Sequence, residues 1–152
     1  MLPVASEQKV TREEPVPKIE DLRGRETILI VDDEWVVRTV ASNLLKTGGY
    51  QTIEAHDGST CLETLADFHA EVDLVLLDVT MPGMSGHEVL SEIRRTYSSL
   101  PVLMCSGYDL TGNAEVTFDH FVPKPYSATS LFSAIRKVLD EPAHSEMFHC
   151  IV

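Results

Sequence analysis

Cysteine is scarce in this chain and nowhere arranged for metal binding. The three cysteines, Cys61, Cys105 and Cys150, are odd in number and widely spaced, and no C-x-x-C pair exists. They read as free thiols of a reducing compartment, the cytoplasm. Cys61 and Cys105 have apolar neighbours that suit small core residues. Cys150 stands third from the end and does not fit a prenylation box. Long apolar runs are absent as well: nothing approaches the roughly 18 residues that suggest a membrane span. The N-terminus lacks a basic region leading into an apolar stretch, so no signal peptide is expected. Basic residues are few, 12 against 24 acidic ones, and do not cluster on one segment. That balance argues against nucleic-acid binding through this domain. A formal charge of −12 suits a solvated surface, yet part of it sits where apolar segments end.

A length of 152 residues fits one domain with tails. Residues 1–26 carry Pro3, Pro15, Pro17 and mixed charges without sustained periodicity, and read as a flexible tail or linker. From Thr27 the texture changes. Thr27–Val31 is a continuous apolar strand of the buried, parallel kind. Glu34–Thr47 then places Val36, Val37, Val40, Ala41, Leu44 and Leu45 at helical spacing, and Gly48-Gly49 ends that helix. Tyr50–Ala55 alternates weakly, which suits an edge strand. Asp57-Gly58-Ser59 leads a second helix with Leu62, Leu65, Ala66 and Phe68. Asp73–Leu77 is a third strand, and Met81-Pro82-Gly83 a loop. A third helix from about Ser85 buries Val89, Leu90 and Ile93. Pro101–Cys105 and His120–Val122 are the fourth and fifth strands. Ser127–Leu139 is a final helix, with Ser127 as its N-cap. Residues 141–152 read as a C-terminal tail.

Strands alternating with helices imply an α/β fold, a doubly wound parallel sheet with helices on both faces. Two edge-like strands, the second and the fifth, suit a flavodoxin-like (βα)5 sheet in the order 2-1-3-4-5. In such a sheet the carboxyl ends of the strands lie together, and ligands bind there. The first strand runs into Asp32-Asp33, the third into Asp78 and the fourth into Ser106, and the fifth is followed by Lys124. Only the second ends in nothing obviously chemical.

Three carboxylates gathered at one edge repel one another. Like charges ~4 Å apart cost roughly 4 kcal/mol at an effective dielectric of about 20. The cluster must take up a proton or bind a cation. Carboxylates without imidazole or thiolate partners favour a hard ion, Mg²⁺. Such an ion and Lys124 would offset the charge of a phosphoryl group, Asp78 could act as its nucleophile, and Ser106 could donate a hydrogen bond to its oxygens. Taken singly, each residue has a plainer explanation. Asp32 or Asp33 could cap the first helix, Asp78 could cap a loop, Ser106 could be a turn residue, and Lys124 could be solvated. All of these at successive strand ends by accident is improbable.

The segments ILIVDDE (28–34), LVLLDVTMPGMSG (74–86), LMCSGYD (103–109) and FVPKP (121–125) together resemble the receiver domain of two-component response regulators, over roughly Glu26 to Asp140. GRETILIVDDE (24–34) and SGYD (106–109) resemble receivers attached behind the kinase core of hybrid sensor histidine kinases. The resemblance implies a receiver domain over 27–140 with Asp78 as phosphoacceptor. Asp33, Asp78 and the Thr80 backbone carbonyl would hold Mg²⁺, with Asp32 acting mainly through water. Ser106 would be the switch hydroxyl, Phe121 the switch aromatic and Lys124 the phosphate-contacting lysine. Without the family, Phe121 reads as a plain core aromatic. A cis peptide between Lys124 and Pro125 is expected, because the loop must turn the lysine inward.

The stretch between Ser106 and Lys124 looks roughly four residues shorter than is usual, and its propensity is poor. A shortened or degenerate fourth helix is expected there, which argues against a dimer built on that surface. No DNA-binding or catalytic module is expected after Asp140. The function expected is a phosphorylation-dependent switch, not an enzyme. It would be charged on Asp78 by a histidine kinase or phosphotransfer protein and would signal by changing affinity for a protein target. Trp35, the single tryptophan, reads equally as a half-buried helix residue or a partner contact. Tyr126 is either a surface aromatic or part of the same contact. The alternatives are a receiver fragment of a hybrid kinase in a phosphorelay and a non-cycling scaffold.

Overall fold

The computed structural model describes residues 18–107 and 121–140. The expected fourth helix and the dimer surface over 109–119 lie outside the described residues, as do Cys150 and the C-terminal tail. Five strands form one parallel sheet: β1 (Thr27–Val31), β2 (Gln51–Ala55), β3 (Leu74–Asp78), β4 (Val102–Ser106) and β5 (Phe121–Pro123). Their order is β2-β1-β3-β4-β5, as the sequence predicts. Four helices are described: α1 (Trp35–Thr47), α2 (Gly58–Phe68), α3 (Gly86–Thr96) and α4 (Ala128–Asp140).

Side chains alternate across the pleat, so the central strands bury both faces. Ile28, Ile30, Leu74, Leu76, Leu103 and Cys105 meet Ala41 and Leu45 of α1 and Leu131, Phe132 and Ile135 of α4. Leu29, Val31, Val75, Leu77, Val102 and Met104 meet Cys61 and Leu65 of α2 and Val89 and Ile93 of α3. Cys61 and Cys105 are buried free thiols. Burial pushes the Cys61 thiol up to about 12 and raises that of Cys105 further still.

Helices α2, α3 and α4 start where side chains supply acceptors for free N–H groups. Asp57 accepts from Thr60 N at 2.8 Å. Ser85 and Glu88 form a reciprocal capping box at α3. Ser127 Oγ accepts from Ser130 N at 3.1 Å, in keeping with its N-cap role.

Two sequence expectations need correction. First, residues 18–26 are not loose. Ile19–Leu22 form a 3-10 turn, and Leu22 is buried in the α1/α4 core. Tyr50 Oη donates to Leu22 O at 2.8 Å, Gly24 N to Gly48 O at 3.0 Å, and Arg136 Nη2 to Glu26 Oε2 at 2.6 Å. Burial would raise the Glu26 pKa, but the Arg136 guanidinium outweighs it and holds the carboxyl below its ordinary value. Gly49, at φ +95°, permits this approach, since a Cβ there would lie 2.5 Å from Gly24 O. One buried leucine and a set of backbone bonds leave no periodic signature.

Second, the half-buried reading of Trp35 fails, and not every apolar residue at helical spacing on α1 is covered. Ala41, Ser42 and Leu45 face inward, while Val36 and Val40 are about half exposed and Trp35 is 67% exposed. Ser42 takes the inner stripe because its hydroxyl meets Thr52 Oγ1 at 2.9 Å. Trp35 is therefore not half-buried. Among the described residues no helix is long and apolar enough to cross a membrane.

Candidate functional site

Parallel pairing delivers β1, β3 and β4 to one edge in register, with Val31 opposite Leu77 and Asp78 opposite Cys105. Carboxylate oxygens of Asp32, Asp33 and Asp78 lie within 4.8 Å of one another. Asp32 and Asp78 are buried, at 2% and 3% exposure, while Asp33 is exposed. Lys124 reaches between the two buried acids. Its Nζ stands 2.8 Å from Asp32 Oδ2 and 3.4 Å from Asp78 Oδ1. The lysine backbone N–H donates to Ser106 O at 2.9 Å, which extends the β4–β5 pairing to the site. The Lys124–Pro125 peptide is cis, as expected.

Asp32 and Asp78 cap the adjoining turns and also meet Lys124, so the plainer roles and the clustered site coexist. The N-cap of α1 is Glu34, not Asp32 or Asp33. Asp32 Oδ1 accepts from Glu34 N at 2.9 Å and thereby fixes the turn into the helix. Asp78 Oδ1 accepts from Thr80 N at 3.3 Å. Ser106 is fully buried at the end of β4. Phe121, half-buried on β5 opposite Met104, packs against the α2/α3 core. Tyr126 is not a surface aromatic: it is half-buried against the α1/α4 core, and burial pushes its hydroxyl pKa up.

The electrostatics follow from the geometry. Burial raises the Asp78 pKa, and the neighbouring Asp32 charge raises it further. Lys124 and the Thr80 N–H oppose both, leaving it at about 6. Burial alone would lower the Lys124 pKa, but its hydrogen bond to Asp32 and the nearby Asp78 charge outweigh that and raise it. The site opens into a cleft of about 600 Å³ lined by Asp33, Asp78, Thr80, Met81, Gly107 and Lys124. Its donors are all oxygens, a set that fits a hard divalent cation better than a thiophilic one.

Gly86 lets α3 start against the Asp78 loop. A Cβ there would lie 2.5 Å from Asp78 O and 2.7 Å from Val79 Cα. Gly86→Ala is expected to destabilise the protein by about 1–3 kcal/mol through overpacking. Urea unfolding checks this, and a loss below about 0.5 kcal/mol would mean that the loop yields freely.

A further contact braces the Asp32 backbone from α1. Arg38 of α1 donates from Nη1 to Asp32 O at 2.7 Å, and its Nε stands 3.3 Å from Glu54 Oε1 on β2. An arginine on a helix flank carries no distinguishing pattern, so the sequence offers no signal for it.

Sheet order, acidic trio and inward lysine together define a flavodoxin-like α/β domain with a charged site at its strand ends. The chain belongs to the response regulator receiver domain family, whose model matches residues 28–136. It is thus a receiver domain of two-component signalling. Among curated proteins it is 34% identical over 146 residues to the sensor kinase CckA of Brucella abortus, covering 91% of this chain and 15% of that protein. It is 36% identical over 123 residues to the transcriptional regulatory protein CpxR of Escherichia coli K12, covering 78% of this chain and 51% of CpxR. The chain therefore spans only part of the length of these relatives. Among solved structures it is similar to the chemotaxis protein CheY4 of Vibrio cholerae, at 27% identity and a TM-score of 0.69, covering 76% of this chain and 100% of that one. The signal receiver domain of an HD domain-containing protein from Pseudomonas fluorescens Pf-5 matches at 29% identity and a TM-score of 0.69, covering 82% and 99%.

Proposed function

We propose that the domain is a phosphorylation switch charged on Asp78 by the phosphohistidine of a sensor histidine kinase or phosphotransfer protein. The observation that carries this is Lys124 set between buried Asp32 and Asp78, with exposed Asp33 completing the carboxylate cluster. A carboxylate oxygen of Asp78 forms the new O–P bond while the donor's P–N bond breaks and its imidazole nitrogen takes the electron pair. Lys124 places positive charge where the phosphoryl oxygens gather. Asp33, Asp78 and the Thr80 carbonyl would hold Mg²⁺, with Asp32 acting mainly through water. When bound, that ion offsets the negative charge of the incoming group. Ser106 would then donate to a phosphoryl oxygen, and Phe121 would follow it as the switch aromatic.

The output is a change in affinity for a protein partner at the exposed α1 face around Trp35 and Val36 and at the Pro125-Tyr126 loop. Buried free thiols support a reducing compartment, the cytoplasm. A second reading, a receiver segment of a hybrid kinase in a phosphorelay, is favoured by the alignment with CckA, which spans 91% of the chain. A non-cycling scaffold is disfavoured by the intact set Asp32, Asp33, Asp78, Ser106 and Lys124.

Incubation with acetyl phosphate and Mg²⁺, followed by intact mass, tests the switch. One phosphoryl mass is expected, suppressed by EDTA. An unmodified mass under conditions that label a known receiver would leave the scaffold reading standing.

A further inference from the structure

Arg38 sits on the inner flank of α1, with its side chain only 17% exposed. Its Nη1 donates to the Asp32 carbonyl at 2.7 Å while its Nε faces Glu54 of β2. The Asp32 N–H donates to Ala55 O at 3.2 Å, just beyond the final β1–β2 pair, Val31 with Ala55. Asp32 is therefore held at both its N–H and its carbonyl, by the edge strand and by α1. Its side chain is held as well, by Glu34 N–H and Lys124. Asp33 differs. It is exposed, and the described residues offer its carboxylate no hydrogen-bond donor. Its aim depends on the peptide that joins it to Asp32, and the carbonyl of that peptide is the one Arg38 grips. A guanidinium bond to a carbonyl is charge-assisted and stronger than a neutral one.

We propose that Arg38 is a positioning residue for the cation site, fixing the Asp32–Asp33 peptide so that Asp33 stands beside Asp32 and Asp78. This rests on reading the acidic trio as a Mg²⁺ site. The plainer account makes Arg38 a staple between α1 and β2 through Glu54. The two accounts part at Glu54→Gln, which removes the ion pair but leaves the carbonyl contact.

The test uses the full chain, with Mg²⁺ titrated against Trp35 fluorescence. Arg38→Met keeps most of the aliphatic stem and removes the donors. It is expected to weaken Mg²⁺ binding about 10-fold, as loss of a partner behind a ligand commonly does. Arg38→Lys, which retains a charged donor, is expected to recover affinity to within about 3-fold, and Glu54→Gln to change it less than about 2-fold. In Mg²⁺-free protein, hydrogen exchange at the Glu34 amide should quicken in Arg38→Met relative to the core amide of Leu76. Wild-type affinity and exchange in Arg38→Met would overturn the proposal, as would Glu54→Gln weakening Mg²⁺ as much as Arg38→Met does. Absence of any Mg²⁺ response in the unsubstituted protein removes the cation-site reading itself. The exchange measurement then still decides whether Arg38 holds the loop.

Discussion

Asp78→Asn is expected to abolish phosphoryl incorporation from acetyl phosphate, and Lys124→Met to slow it by about two orders of magnitude. The two effects have different origins. Asp78 ends β3, is 3% exposed, and opens onto the cleft with its Oδ1 fixed by Thr80 N–H. An amide in its place keeps the shape and the Thr80 contact but loses the charged oxygen proposed to attack phosphorus. Lys124→Met leaves the proposed nucleophile and removes the charge proposed to balance the phosphoryl oxygens. Preorganised groups of this kind are worth about 10²–10³ in rate when one is deleted. Because Lys124 touches Asp32 as well as Asp78, its loss also leaves two buried carboxylates facing each other without a counter-charge. Time courses of intact mass read both variants. Labelling of Asp78→Asn at the wild-type rate would move the phosphoacceptor elsewhere. A Lys124→Met rate within about 3-fold of wild type would show that the lysine only neutralises the resting site.

The parts of the site that were legible in the sequence are those tied to strand ends. A buried parallel strand declares itself as a short apolar run, and the residue that ends it must lie at one edge of the sheet. Asp32, Asp78, Ser106 and Lys124 could be placed by that argument alone, because register follows from topology. The same logic was silent on β2, whose end looked inert. Its contribution is made through backbone and flank, by Ala55 O and Glu54, and backbone acceptors leave no trace in residue type. Helical periodicity gave α1 but not its orientation. Val36 and Val40 share the helical spacing with Ala41 and Leu45, and only the three-dimensional neighbours decide which stripe is covered. Here Ser42 sits on the inner stripe, satisfied by Thr52, while Trp35, Val36 and Val40 are left to solvent. The 18–26 segment failed for a related reason. Its anchoring rests on Leu22, Tyr50 and Arg136, contacts distant in sequence, where local pattern has no reach.

In the metal-free protein, Asp78→Asn is expected to be more stable than wild type near neutral pH, and the advantage should shrink on acidification. Asp78 is buried beside Asp32, and its pKa rises from the ordinary 3.8 to about 6 in the folded protein. Protonation therefore favours folding. The contribution is fully present below the unfolded value and is lost as pH rises through about 6. A two-unit displacement corresponds to about 3 kcal/mol at full ionisation, of which about 1.4 kcal/mol should return between about pH 7.5 and pH 5. Other carboxylates run the opposite way, Glu26 and Asp57 among them, since both are held below their ordinary values. Their contributions cancel when wild type is compared with Asp78→Asn. Urea unfolding of both proteins in EDTA, across that range, isolates the Asp78 share. Mg²⁺ should stabilise the wild type most at the upper end of the range, because a carboxylate must lose its proton to bind a cation. Parallel stability curves for the two proteins would mean that Lys124 already neutralises the cluster. The destabilisation that Asp78 brings to the folded protein would then be far smaller than its burial implies.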